Sequence, residues 1–421
     1  MAYSSGRSRI PLPRGLCFVI STIVGIFIYT IYMNIEYFQP ILFLKRNYIR
    51  LHDSTLLSVF SAVMHIDDQT RITLNVWDGS SNMNYKCCIL TSDAQLVQVN
   101  AKPLNAPYAP YDENMLSARQ YKCSLSSSKN HVISVAMISA SKTCAMTKQF
   151  TNVIYPSRPR VSNRFVIYSV LTREVRPIQL VEWLEYYKSV GVDKIYLVLQ
   201  LPDAQIMTVL SHYLKNGFLE IHEFPFPLPG RSQDDVDRNF AIPTDDAVRR
   251  QLDQDKLVAI FHCIEYLRGF GYAAYLDVNE FIVTSEWRML IYFLEETFER
   301  NFPDAAGVNL KYVYIDRDQS NLQVNNRTEQ INYRTIHVPG RIQRMSSNIV
   351  IPRTNYDVYT IPEDKGVVYL IRHCRAMWIF CIKNHSSSTL KLYHSRTDLE
   401  RKCLAVAAKL YLNVHHPKLK I

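Results

Sequence analysis

Between Arg164 and Ile221 the chain changes its apolar period four times, and this rhythm constrains the fold more than any other feature. Phe165 to Val170 is a compact apolar run of strand formers. Ile178 to Val190 then places Leu180, Trp183, Leu184 and Tyr187 at helical spacing, with Gly191 where a helix C-terminal glycine belongs. Lys194 to Leu199 reads as a second strand. Pro202 opens a helix carrying Ile206, Val209, Leu210, Tyr213 and Leu214, which Gly217 closes before a strand at Phe218 to Ile221. A β-α-β-α-β series implies a parallel sheet covered by helices. A further helix is expected near Lys256 to Arg268, broken by Gly269-Phe270-Gly271.

The next strand is expected to be Tyr272 to Val283, Y-A-A-Y-L-D-V-N-E-F-I-V. Asp277, Asn279 and Glu280 interrupt its apolar run, at what would be the ligand-binding edge of an open α/β sheet. In extended backbone Asp277 and Asn279 would face the same side. Two oxygen ligands so spaced suit a hard divalent cation, which can hold a diphosphate and neutralise its charge as it leaves. Such a pair serves transfer from a nucleotide sugar. The spacing alone is a weak signal, and the same residues could simply end a strand facing water.

The chain has 421 residues, 48% of them hydrophobic, enough for two domains. Only 12 are glycine, and neither G-x-G-x-x-G nor G-x-x-x-x-G-K-[ST] occurs. The net charge of +10 is spread in small clusters, without the long basic run or finger spacing that nucleic acid binding would need. H-E-x-x-H and G-x-S-x-G are absent, which leaves a hydrolase as the weaker reading.

Gly15 to Met33 is free of charge for 19 residues. At ~1.5 Å per residue it covers a ~30 Å hydrocarbon core. Arg7, Arg9 and Arg14 precede it and no small-residue cleavage pattern follows, so the expectation is an uncleaved anchor with the N-terminus cytosolic. Residues 1–14 would be a cytosolic tail, 15–33 the span, 34–163 a stem with a β-rich luminal domain, and 164–421 the α/β catalytic domain. Short strand-like pieces at Ile72–Trp77, Tyr85–Leu90 and Val132–Ile138 support the β-rich assignment. Eight cysteines lie beyond the anchor, an even number that permits disulfides without fixing their pairing. Asn326 and Asn384 head N-glycosylation triplets, as suits a lumen. His373, Cys374, Cys381 and His385 have loose zinc-like spacing but form no standard ligand set.

Arg176 to Leu197, R-P-I-Q-L-V-E-W-L-E-Y-Y-K-S-V-G-V-D-K-I-Y-L, resembles the opening of glycosyltransferase family 92. About 80 residues later, Asp277 to Phe281 looks like that family's D-x-D-E-F motif, and Ile371 to Arg375 resembles its histidine–aromatic–arginine motif. The resemblance implies a GT-A fold, a Rossmann-like mixed sheet flanked by helices. It also implies a Golgi-type, single-pass type II membrane protein that transfers galactose from a UDP-sugar to a glycan acceptor with manganese. Asp277, Asn279 and His373 would hold the metal. Asp277, Asn279, Glu280 and Arg344 would meet the donor.

The sequence departs from the family pattern at several of these positions. Asn279 stands where the family has its principal metal-binding aspartate, which removes one negative charge. Ser346 to Pro352 lacks the family's lysine, with Arg344 nearby, and Tyr359 and Cys374 replace a histidine and an aromatic. A divergent enzyme and a relative that binds sugar nucleotide, glycan or protein without turnover both fit these changes. For the base that accepts the acceptor proton, Asp316 and then Asp318 follow an expected strand at Gly307 to Ile315, whereas Asp234, Asp235 and Asp237 read as a solvated patch.

Overall fold

The structure is a computed structural model that describes residues 57–65, 70–79, 84–104, 116–125, 131–147, 149–157, 164–171, 175–199, 204–223, 246–284, 289–316, 333–345, 349–372 and 396–410. The expected anchor at Gly15–Met33 lies outside these residues, as do Asn326, Asn384, His373, Cys374, Cys381, His385, Asp318 and the acids Asp234, Asp235 and Asp237. Among the described residues no helix is long and apolar enough to cross a membrane.

Seven strands form a closed barrel: β1 (Leu57–Met64), β2 (Arg71–Asp78), β3 (Tyr85–Thr91), β4 (Leu96–Pro103), β5 (Ser117–Ser124), β6 (Val132–Ser139) and β7 (Thr151–Ile154). Their order is β1-β2-β5-β4-β3-β6-β7, with β7 closing parallel onto β1. Ile72, Leu74, Val76, Cys87, Ile89 and Val135 fill the interior. Successive side chains of a strand point to opposite faces, so the neighbours Cys87 and Cys88 part company. Cys87 turns inward and bonds to Cys123 of β5, whereas Cys88 packs outside with Ala136 and bonds to Cys144.

The α/β region is a nine-stranded mixed sheet. Its strands are β8 (Phe165–Leu171), β9 (Lys194–Leu199), β10 (Leu219–Glu223), β11 (Tyr272–Tyr275), β12 (Glu280–Thr284), β13 (Ala305–Asp316), β14 (Tyr333–His337), β17 (Asp357–Thr360) and β18 (Gly366–Arg372). The order is β10-β9-β8-β11-β14-β13-β18-β12, with β17 beside the first half of β13. β14 and β12 run against their neighbours, and the other seven strands share one direction. A separate hairpin pairs β15 (Ile342–Met345) with β16 (Val350–Pro352).

Helices cover both faces, which is why β8 is buried at every position and β9 at all but its first, rather than at alternate ones. Phe165, Ile167, Ile195 and Leu197 face α1 (Pro177–Ser189), α2 (Ala204–Lys215) and α4 (Arg396–Lys409). Val166, Tyr168, Tyr196 and Val198 face α3 (Asp246–Tyr266), and Phe60, Trp77 and Leu116 of the barrel region join that same core. α1 and α2 give way to loops at Gly191 and Gly217, whose φ angles of 85° and 69° favour glycine. α3 begins ten residues before the expected Lys256, in a polar stretch without apolar periodicity.

A buried polar chain joins barrel to α3. Gln120 donates to Asn75, and Asn75 to the Ser61 hydroxyl. Ser61 Oγ lies 3.0 Å from His262 Nδ1, and His262 Nε2 lies 2.9 Å from the Tyr196 hydroxyl. Beside it the Trp77 indole donates to Asp255 at 2.8 Å. Burial, and then the neighbouring His222, hold His262 well below the usual histidine range. The ring is therefore neutral and can relay one donor direction along the chain.

One expectation needs correcting. Tyr272 to Val283 is not a single strand. β11 stops at Tyr275, and the Glu280 amide donates to the Asp277 carbonyl at 2.9 Å, closing a turn over Val278-Asn279. β12 then leaves for the far edge of the sheet, where it pairs with β18. Asp277 and Asn279 are thus turn residues, and the same-side alternation of an extended strand does not apply to them.

Candidate active site

Three strand ends and two strand starts meet at one edge of the sheet. β11 ends just before Asp277, β13 ends at Asp316 and β18 ends at Arg372, while β12 starts at Glu280 and β14 at Tyr333-Arg334. Parallel neighbours bring this about, because their C-terminal ends align.

Asp277 and Glu280 share the turn and a set of cations. The Asp277 amide donates to Glu280 Oε2 at 3.0 Å. Asp277 Oδ1 accepts from Lys256 Nζ at 2.8 Å and from the Tyr275 hydroxyl at 2.7 Å, and Oδ2 accepts from Arg334 Nη2 at 2.9 Å. Glu280 is enclosed: Arg334 Nε reaches Oε2 at 2.7 Å, Arg334 Nη2 reaches Oε1 at 2.8 Å, and the Tyr312 hydroxyl adds a bond of 2.7 Å. The Lys256 ammonium and the Arg334 guanidinium both lie near the Tyr275 ring, 5.3 Å and 4.8 Å from its centre.

Exposure separates the two acids. Glu280 is 1% exposed, whereas the Asp277 and Lys256 side chains are 32% and 31% exposed. Burial would raise the Asp277 carboxyl, but Lys256 and Arg334 outweigh it and hold the pKa below the ordinary carboxylate value. Burial, with Asp277 adding repulsion, raises Glu280 against the pull of Arg334. Asp277 is thus the accessible, ionised acid of the pair. Glu280 is its buried support.

Asn279 does something different. Its Nδ2 donates to the Ile371 carbonyl at 3.1 Å, and the Ile371 amide returns a bond to the Asn279 carbonyl at 3.1 Å. The amide side chain thus clips the turn to the end of β18, immediately before Arg372-His373.

Helix α1 positions the turn from below. Among the described residues β12 pairs with a strand on one side only, and α1 serves its other side. Trp183 Nε1 and the Tyr187 hydroxyl both donate to the Glu280 carbonyl, at 3.1 and 2.9 Å. The Ile282 amide donates to the Tyr187 hydroxyl at 3.0 Å, and the Tyr186 hydroxyl donates to the Ile282 carbonyl. Positions three and four apart share a helix face, so Trp183, Tyr186 and Tyr187 reach one strand together.

Of the residues singled out in the sequence, the structure joins Asp277, Asn279 and Glu280 in one turn. Asp316 ends β13 in register with Arg372, at the same edge. Arg344 lies on the β15–β16 hairpin, and no described contact joins it to Asp277 or Glu280. Lys256, Tyr275, Tyr312 and Arg334 were not singled out. Arg334 carried a signal: a guanidinium in an otherwise buried strand needs a carboxylate, and Glu280 is a buried acid in need of a cation.

Manganese can be tested against these donors. Every oxygen of Asp277 and Glu280 already accepts from a cation, Asn279 offers a neutral amide, and among the described residues no three His, Cys, Asp or Glu side chains group to hold a metal. The described residues do not fit a divalent metal site.

Comparison with known proteins supplies the family. No curated protein matches the chain. Among solved structures, a chain described as WbbM bifunctional glycosyltransferase, apo structure, aligns at 8% identity and a TM-score of 0.19 over 39% of this chain. The aligned part spans 27% of that protein. Residues 174–402, more than half of the sequence, match the family model Glycosyltransferase family 92 and contain the α1 aromatics, Lys256, the Asp277–Glu280 turn and Arg334. The chain belongs to glycosyltransferase family 92.

Proposed function

We propose that the chain transfers a hexose, galactose, from a UDP-sugar to a hydroxyl of a glycan acceptor, with the Asp277–Glu280 turn as the donor site in a GT-A-like domain. The observation that carries this reading is the convergence of Asp277, Lys256, Arg334 and the end of β13 on one sheet edge, where an ionised acid and an exposed ammonium remain accessible. Asp277 suits the donor ribose, since a partly exposed carboxylate accepts from hydroxyls. Asp316 is the base we favour. The acceptor hydroxyl attacks the anomeric carbon, its proton passes to the carboxylate, and the bond from that carbon to the diphosphate breaks, releasing UDP.

The reading includes a Golgi-type lumen, with Gly15–Met33 as a type II anchor. The disulfides Cys87–Cys123 and Cys88–Cys144 support an oxidising compartment. The test is thermal unfolding of the full-length chain in detergent with UDP, UDP-galactose, ADP and GDP, followed by assay of UDP release with glycan acceptors. A ligand at ~100 times its Kd adds ~2.7 kcal/mol to stability. Stabilisation by uridine nucleotides alone, with release of UDP, is the expected result. Stabilisation without any release would make the chain a binding relative. No stabilisation by any nucleotide would remove the donor site.

A further inference from the structure

We propose that Lys256 stands in for the divalent cation at this site, so that donor binding needs no metal. The inference rests on the donor-site reading above and adds the residue that meets the diphosphate.

A diphosphate needs positive charge beside it, and an accessible one. Arg334 does not qualify: its side chain is 7% exposed, and its guanidinium is spent on Glu280 and Asp277. Lys256 does. Its side chain is 31% exposed, and among the described residues its ammonium makes one hydrogen bond, to Asp277 Oδ1. An ammonium has three donors, so two remain for phosphate oxygens. Asp277 fixes the ammonium, and Tyr275 and Arg334 fix Asp277 in turn.

The same arrangement opposes a metal. A divalent ion on Asp277 would sit beside an ammonium 2.8 Å from the same carboxylate and would have to displace it. Asn279 contributes no charge to offset that repulsion, and its Nδ2 is held by Ile371. With a neutral amide at position 279 and a lysine on Asp277, the local positive charge comes from the ammonium.

The test is isothermal titration of UDP and of uridine into the full-length chain in detergent, with EDTA and with excess manganese. Wild type is compared with Lys256→Gln and Lys256→Arg. Wild type is expected to bind UDP equally well in EDTA and in manganese. Lys256→Gln should weaken UDP about ten- to a hundredfold and uridine by much less, as loss of a charged hydrogen bond to phosphate would. Lys256→Arg should retain most of the affinity. UDP binding that requires manganese would overturn the inference and leave the donor site standing, and the wild-type comparison alone decides this if the variants do not fold. Unchanged UDP affinity in Lys256→Gln would overturn it as well. No UDP binding in either buffer would sink the donor site and this inference together.

Discussion

The indole Nε1 of Trp183 donates to the backbone carbonyl of Glu280 at 3.1 Å, across 97 residues of sequence. This bond explains why an aromatic helix and a distant acidic turn occur together. Among the described residues β12 is an edge strand, and its outward backbone groups need partners that no described strand supplies. Trp183, Tyr186 and Tyr187 supply them, and so fix the backbone from which Asp277 and Glu280 project. Trp183→Phe and Tyr187→Phe should each cost about 1–3 kcal/mol, because each removes a buried hydrogen bond to the β12 backbone. Tyr187→Phe should cost more, since its hydroxyl serves both the Glu280 carbonyl and the Ile282 amide. Denaturant unfolding measures both. A change within experimental error would show that the aromatics only pack.

Asn279→Asp should not restore a metal site. It replaces the amide that donates to the Ile371 carbonyl with an acceptor, setting oxygen against oxygen at 3.1 Å. The expected outcome is a loss of about 1–3 kcal/mol in stability and no gain in UDP affinity with manganese. Titration of the variant in both buffers checks it, and a manganese-dependent gain would show that Asn279 is a weakened metal ligand instead.

His337 should impose acid sensitivity on the fold. It is fully buried on β14, and burial, opposed by the Thr335 backbone and reinforced by Arg268, lowers its pKa to about 3. The folded pKa lies below the unfolded value near 6.5. The unfolded chain therefore binds more protons between these values, so this stability is complete above pH 6.5 and is lost as pH falls toward 3. The loss at pH 5 is about 2 kcal/mol. His337→Leu should abolish that component while leaving stability at pH 8 unchanged or raised. Urea unfolding at pH 8 and pH 5 measures it, and an unaltered pH slope would contradict the assignment.

The barrel and the α/β region should unfold together. Trp77, Ser61, Asn75 and Gln120 are bonded into the core that α3 shares, and Phe60 packs there too. Replacing Cys87 and Cys123 by alanine opens a loop of 36 residues and should cost about 4 kcal/mol by chain entropy. Fluorescence and circular dichroism should shift to one lower midpoint. Two separated transitions would mean that the barrel folds independently.

Parts of this were legible in the sequence, and the reasons are local. β8 and β9 are buried on both faces, so they stand out as apolar runs, and Gly191 and Gly217 mark the helix ends by their backbone needs. The acids after Leu276 also marked the ligand edge. Their geometry was hidden, because a two-residue turn between apolar runs looks like continued strand. Lys256 and Arg334 lie 21 residues before and 57 after Asp277, so no local pattern links them. The pairing of Cys87 with Cys123 and of Cys88 with Cys144 likewise depends on which face of β3 turns inward.

The most direct test of the donor site is amide hydrogen exchange of the full-length chain with and without UDP. The account predicts added protection in the peptides spanning Tyr275 to Phe281 and Tyr333 to Thr335, and at Lys256 on α3. Protection confined to the barrel strands, or absent from the Asp277–Glu280 turn while UDP is bound, would contradict it.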